Sequence, residues 1–262
     1  MDFGWPLFFK KCLIGAVVMA LVPLSVGCSI DEDSSWRASD DYIDPIPEGA
    51  DKAPPLTKVE KEKLALLKEP TEGEITQSNF QAEFGHVDPD REIPNSLLEK
   101  ALAFFKKNSA HIDNKNYLTI VAFNWHSAKS RMFVIDMRSG QVTKLHVAHG
   151  SGSDQDNRGI ASRFSNRVGS KASSLGFYRA AEPYQGKHGL SVRLDGLSAT
   201  NSRARERAVV VHGAKYVYDS DVKSGRSQGC LAVSLKWHRD FAKMIKNGSI
   251  IYAGVTKPVT AD

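Results

Sequence analysis

From Tyr117 to Ala253 the chain is a succession of short apolar runs, rich in β-branched and aromatic residues and separated by turn-forming ones. The runs are Tyr117–Asn124, Arg131–Met137, Val142–Ala148, Leu175–Ala180, His188–Leu194, Ala208–His212 and Ser249–Ala253, the second and third joined by the turn signal Arg138-Ser139-Gly140-Gln141. Such runs suit strands and are too short for helices. Two helices fit around them. One follows Pro94-Asn95-Ser96, where Leu97, Leu98, Ala101, Leu102, Phe104 and Phe105 keep an apolar stripe that Asn95 or Ser96 can cap. The other is capped by Ser234 and runs through Ile245, with Leu235, Phe241, Met244 and Ile245 on one face and Gly248 as its left-handed stop. Many short strands with few helices exclude a βαβ series. They predict a mainly β sheet or sandwich with a few short helices.

Charge divides the rest of the chain. The 262 residues carry 35 Lys+Arg against 30 Asp+Glu, but the balance is uneven. Residues 28–75 hold 6 basic and 13 acidic side chains, with Asp44-Pro45-Ile46-Pro47 and Pro54-Pro55 among them and no sustained apolar period. That composition predicts a disordered acidic linker, a tether in which only residues 57–68 can form a helical turn. Residues 76–262 hold 27 basic and 16 acidic side chains and form the folded domain, whose cationic surface favours an anionic setting.

Lys10 and Lys11 precede an uncharged run from Cys12 to Cys28 that contains Pro23 and ends in small residues. A positive start, an apolar centre and a small-residue end describe an export signal over 1–27. The run is shorter than the roughly 20 apolar residues of a spanning helix. Leu24-Ser25-Val26-Gly27-Cys28 resembles the lipobox of bacterial lipoproteins, with Leu24 four residues before the cysteine instead of three. Cys28 would then carry the lipid and tether the protein to the membrane. Ser25-Val26-Gly27 equally suits ordinary signal peptidase, and both readings place the protein in the periplasm. Cys230 is the one cysteine left for the folded domain. In an oxidising compartment a lone thiol is either buried and inert or reactive.

Between residues 208 and 230 a strand delivers His212, a polar loop follows, and Ser227-Gln228-Gly229-Cys230 ends it. An imidazole beside a thiol can generate the thiolate nucleophile. Gly229 lets the backbone approach a bound carbonyl, so the amides of Gly229 and Cys230 are candidate oxyanion donors. These parts suffice for acyl transfer.

His212-Gly213 with Cys230 eighteen positions on, in a Ser-x-Gly-Cys motif, resembles the YkuD-type L,D-transpeptidases of bacterial peptidoglycan. Upstream, His149-Gly150-Ser151-Gly152-Ser153, Phe164-Ser165-Asn166, Gly169-Ser170, Ser173-Ser174-Leu175-Gly176 and Tyr184-x-Gly186-Lys187-His188-Gly189 resemble the murein L,D-transpeptidase catalytic domain family over about residues 95–253. The resemblance implies Cys230 as nucleophile, His212 as base, the Gly213 carbonyl as orienter of the imidazole and Ser227 as shaper of the turn. It implies tetrapeptide stems of peptidoglycan as substrate and no cofactor. Gln228 stands where the commonest form of the motif has a second histidine. His149, His188, Arg193 and Tyr178 are further candidates for the substrate cleft, Arg193 facing stem carboxylates, although polar residues beside loop glycines often only brace turns and strand aromatics are usually core.

Two other classes compete. His149, His188 and His212 could be the zinc ligands of a wall-cleaving peptidase, but HExxH spacing is absent. Alternatively the cationic domain is a non-catalytic wall-binding lipoprotein, which leaves the Ser-x-Gly-Cys motif without a use. Nucleic acid is not an expected partner, because export removes it and the basic residues do not interleave with aromatics.

Overall fold

The computed structural model describes Met1, residues 53–77 and residues 79–256. The export signal expected over 1–27, the lipidation site Cys28 and the tether up to residue 52 lie outside the described residues. Four helices, α1 (Lys58–Leu66), α2 (Glu72–Thr76), α3 (Phe80–Phe84) and α4 (Asn95–Lys107), precede the strands. The strands are β1 (Tyr117–Ala122), β2 (Met132–Asp136), β3 (Val142–Leu145), β4 (Val147–Ala148), β5 (Gly176–Gly186), β6 (Gly189–Gly196), β7 (Val210–Ala214), β8 (Leu231–Ser234) and β9 (Ile250–Gly254). A last helix, α5 (His238–Ile245), lies between β8 and β9. Among the described residues no helix is long and apolar enough to cross a membrane.

The nine strands among the described residues join one sheet in the order β3-β2-β1-β9-β5-β6-β7-β8-β4. β3 and β4 occupy opposite edges, yet only His146 separates them in sequence. One residue cannot bridge an open sheet, so the sheet curls until its edges meet. Closure of this kind removes exposed strand edges. Two pairs, β1 with β9 and β7 with β8, are parallel.

Alternating side chains supply two cores. The inner cluster takes residues from every strand, Val121, Val134, Leu145, Val147, Tyr178, Val192, Val211, Val233 and Ile251 among them, and Phe241 and Ile245 of α5 join it. The outer cluster sets Leu118, Ile120, Phe177 and Tyr252 against Leu97, Ala101, Phe104 and Phe105 of α4. Burial on both faces explains why β1 and β9 read as continuous apolar runs.

Three expectations need correction. Within the expected tether, α1 falls in the 57–68 stretch that can form a helical turn, but α2 is a second helix beyond it, and each opens with a Thr-x-x-Glu capping box. Leu67 packs in the outer cluster, the Lys68 amide donates to Asn108 Oδ1 (2.8 Å), and Lys107 pairs with Glu74 (2.7 Å), so this stretch is attached to α4. Second, α4 begins at Asn95 with the Pro94 carbonyl accepting the Leu97 and Leu98 amides, and neither Asn95 nor Ser96 is its cap. Third, Ser234 ends β8 and its hydroxyl donates to Asp219 Oδ1 (2.7 Å), while α5 starts only at His238 and leaves Leu235 exposed.

Candidate active site

β7 and β8 run in parallel with Val211 opposite Leu231 and His212 opposite Ala232. Cys230, one residue before β8, therefore comes up beside the strand that carries His212. His212 is buried and its Nδ1 lies 3.0 Å from the Gly213 carbonyl oxygen. Since a carbonyl can only accept, Nδ1 holds the proton and Nε2 is the basic nitrogen. Gly213 has to be glycine for a packing reason: a Cβ there would stand 2.7 Å from the His238 ring.

The loop before Cys230 is fixed from within. The Ser227 hydroxyl donates to the Cys230 carbonyl (2.8 Å) and accepts the Gly229 N–H (3.1 Å). The Gly229 amide, expected as an oxyanion donor, is thus committed to Ser227 in this structure. Gly229 adopts φ +116°, and a Cβ on it would meet the Ala172 carbonyl oxygen at 2.7 Å. Its freedom serves the close passage of the 165–174 loop, in place of the bound carbonyl the sequence suggested. The Cys230 sulfur, half-buried, donates to the Ala208 carbonyl at 3.7 Å.

The serine-rich motifs wire this loop to its surroundings. The Ser227 N–H donates to His149 O and the Ser151 N–H to Ser227 O, both at 2.8 Å. Ser173 Oγ accepts the Gly150 N–H (3.0 Å), and Asn166 Nδ2 donates to Ala199 O (3.1 Å) and Ser202 Oγ (2.9 Å).

The substrate-cleft candidates separate. His188 sits in the two-residue turn between β5 and β6, and its ring lies against that of His212, centroids 4.5 Å apart and planes tilted by 30°. His149 is fully buried: Arg131 Nη2 donates to its Nδ1 (2.7 Å), and its Nε2–H donates to Asp154 Oδ2 (3.2 Å). Burial pushes its pKa down to about 4, against the opposing pull of Asp154. With both nitrogens engaged in the core, His149 is neither a cleft residue nor a zinc ligand. Among the described residues no three His, Cys, Asp or Glu side chains converge as a metal site. Tyr178 also belongs to the core, its hydroxyl bonded to the Ser174 carbonyl (2.8 Å), and burial raises its pKa to about 12. The Arg193 guanidinium lies over the Tyr184 ring (4.0 Å) and 3.3 Å from Glu182, so a carboxylate of the protein already meets the charge expected to face the stem.

The L,D-transpeptidase catalytic domain model matches residues 89–253. No curated protein sequence matches the chain. Among solved structures it is similar to an L,D-transpeptidase from Mycobacterium smegmatis, at 14% identity over 53% of this chain and 59% of that one, with a TM-score of 0.34. It is similar to the helical cell shape determining protein Pgp2 from Campylobacter jejuni, at 12% identity over 58% and 51%, with a TM-score of 0.35. An L,D-transpeptidase from Stackebrandtia nassauensis aligns at 13% identity over 69% and 77%, with a TM-score of 0.33. The chain spans about three-fifths of the length of the first of these.

Proposed function

The chain belongs to the L,D-transpeptidase catalytic domain family, and on that premise we propose that it is an exported peptidoglycan L,D-transpeptidase acting through the thiolate of Cys230. The observation that carries the reading is the parallel β7/β8 pair, which brings the Cys230 loop up beside a histidine whose Nδ1 is held by Gly213. His212 Nε2 takes the thiol proton. The thiolate attacks the carbonyl of the L-configured centre in the third residue of a tetrapeptide stem, and a C–S bond forms. As the tetrahedral oxyanion collapses, the bond to D-Ala breaks and His212 returns its proton to the leaving amine. The Cys230 amide is the backbone donor we assign to that oxyanion. The thioester then passes to the side-chain amine of a neighbouring stem, giving a 3–3 cross-link, or to water, giving L,D-carboxypeptidase activity.

The same proposal includes the export signal over 1–27 and a lipid on Cys28, which would hold a cationic domain near an anionic wall. Mass analysis of muropeptides after incubating the purified protein with wall fragments tests the function. Tripeptide stems or 3–3 dimers are expected, and unchanged tetrapeptides would refute it.

A further inference from the structure

Arg207 lies in the turn that leads into β7, outside the His212-Gly213 and Ser-x-Gly-Cys motifs. Its Nη1 donates to Ser165 O (2.7 Å) and Ser174 Oγ (3.0 Å). Its Nη2 donates to Ala172 O and to Ser170 Oγ (3.4 Å). Nη2 also stands only 3.1 Å from where a Gly229 Cβ would be, so the guanidinium rests against the backbone one residue before the nucleophile. The following residue, Ala208, has φ +51°, a left-handed conformation that costs energy for any residue with a Cβ and marks functional turns. It is the Ala208 carbonyl that accepts the Cys230 thiol. Two consecutive residues thus meet the Gly229-Cys230 turn, one by close contact of its guanidinium and one by a hydrogen bond.

A neutral side chain could brace a loop through those acceptors without the cost of partly burying a cation. Burial does pull the Arg207 pKa down, and the neighbouring Tyr178 and Cys230 act in the opposite direction. Cys230 interacts electrostatically with Arg207 from this turn and with Tyr178 from β5, while His212 lies on the neighbouring strand β7 with the His188 ring 4.5 Å from its own.

We propose that Arg207 is a positioning residue for acyl transfer: its guanidinium clamps the 165–174 loop onto Gly229 and places a fixed positive charge beside Cys230, while the Ala208 carbonyl holds the resting thiol. The inference rests on Cys230 being the nucleophile. An opposite charge within a few ångströms favours thiolate over thiol by roughly 1–3 pH units, so the charge has a signature that a structural brace lacks.

The experiment follows alkylation of Cys230 by iodoacetamide across the neutral and alkaline range, quantified on the Cys230 peptide of the full chain, with thermal melts alongside. Arg207→Gln is expected to move the inflection up by about one pH unit or more. Arg207→Lys keeps the charge and should hold the inflection near the parent value, while losing D-Ala release because the planar fork is gone. An Arg207→Gln inflection that stays in place overturns the proposal. If that variant does not fold, Ser170→Ala with Ser174→Ala removes two acceptors and leaves the charge, and the inflection should not move; a shift there would make the role purely structural and overturn the proposal as well. Failure of the nucleophile reading looks different, since the parent protein itself would then alkylate like an ordinary thiol near pH 8.5.

Discussion

The Nδ1 of His212 stands 3.0 Å from the carbonyl oxygen of its own neighbour, Gly213. In the neutral imidazole this contact puts the proton on Nδ1 and makes Nε2 the basic nitrogen. His212→Ala is expected to slow D-Ala release by roughly 10²–10⁴-fold, the usual worth of a positioned general base. A loss below about fivefold, far under that range, moves the base role to His188, whose ring lies against His212.

Ser227 joins the two ends of the nucleophile loop through one hydroxyl. Ser227→Ala leaves the Gly229 N–H and the Cys230 carbonyl without that partner in a largely buried place. The variant is expected to lose about 1–3 kcal/mol of stability in urea titration and to turn over more slowly. Unchanged stability together with unchanged turnover contradicts the bridging role.

Acid stability follows from His149. The folded protein keeps this imidazole neutral down to about pH 4, whereas an unfolded chain takes up the proton below the ordinary value of 6.5. Stability is therefore full above pH 6.5 and is lost progressively as the pH falls from 6.5 to about 4. Burial by itself raises the Asp154 carboxyl, but the bonds from His149 and from the Arg158 and Gly159 amides outweigh it and bring the value to about 2, from an ordinary 3.8. Asp154 carries the loss on below pH 3.8. Urea midpoints measured across this range should fall in that order, and a midpoint flat between pH 6.5 and 4 would count against a neutral, buried His149.

If Cys28 carries lipid, the mature protein should stay with membranes through a high-salt wash, because each buried CH₂ contributes about 0.8 kcal/mol that salt does not screen. Cys28→Ala should release it or block maturation. A free Cys28 thiol on a soluble periplasmic protein would point to ordinary signal-peptidase cleavage.

Of the strands, all but β8 were legible as short apolar runs, although Val142–Ala148 is two strands, β3 and β4, divided at His146, and β5 runs on to Gly186. β8 was not, since its four residues follow Cys230 directly and Ser234 looks like a helix cap until Asp219 supplies the partner. The Thr-x-x-Glu boxes at Thr57 and Thr71 were present in the sequence, but the acidic composition around them argued for a tether. Cys230, His212 and Ser227 could be singled out as candidates because their residue types are chemically linked within a short span, and the fold brings His212 and the Cys230 loop onto adjacent strands. The roles of His149, Arg131 and Arg207 were not: whether a polar side chain is a ligand or a buried brace depends on partners that come together only in the fold, and no periodicity encodes them.

Covalent chemistry at the Cys230 sulfur is tested most directly by D-Ala release from a tetrapeptide stem by Cys230→Ala, with the fold checked by its melt. Release should be abolished while the melt stays close to the parent's, and chelators should leave the parent enzyme active. Turnover retained without the Cys230 sulfur, or lost to a chelator instead, would contradict it.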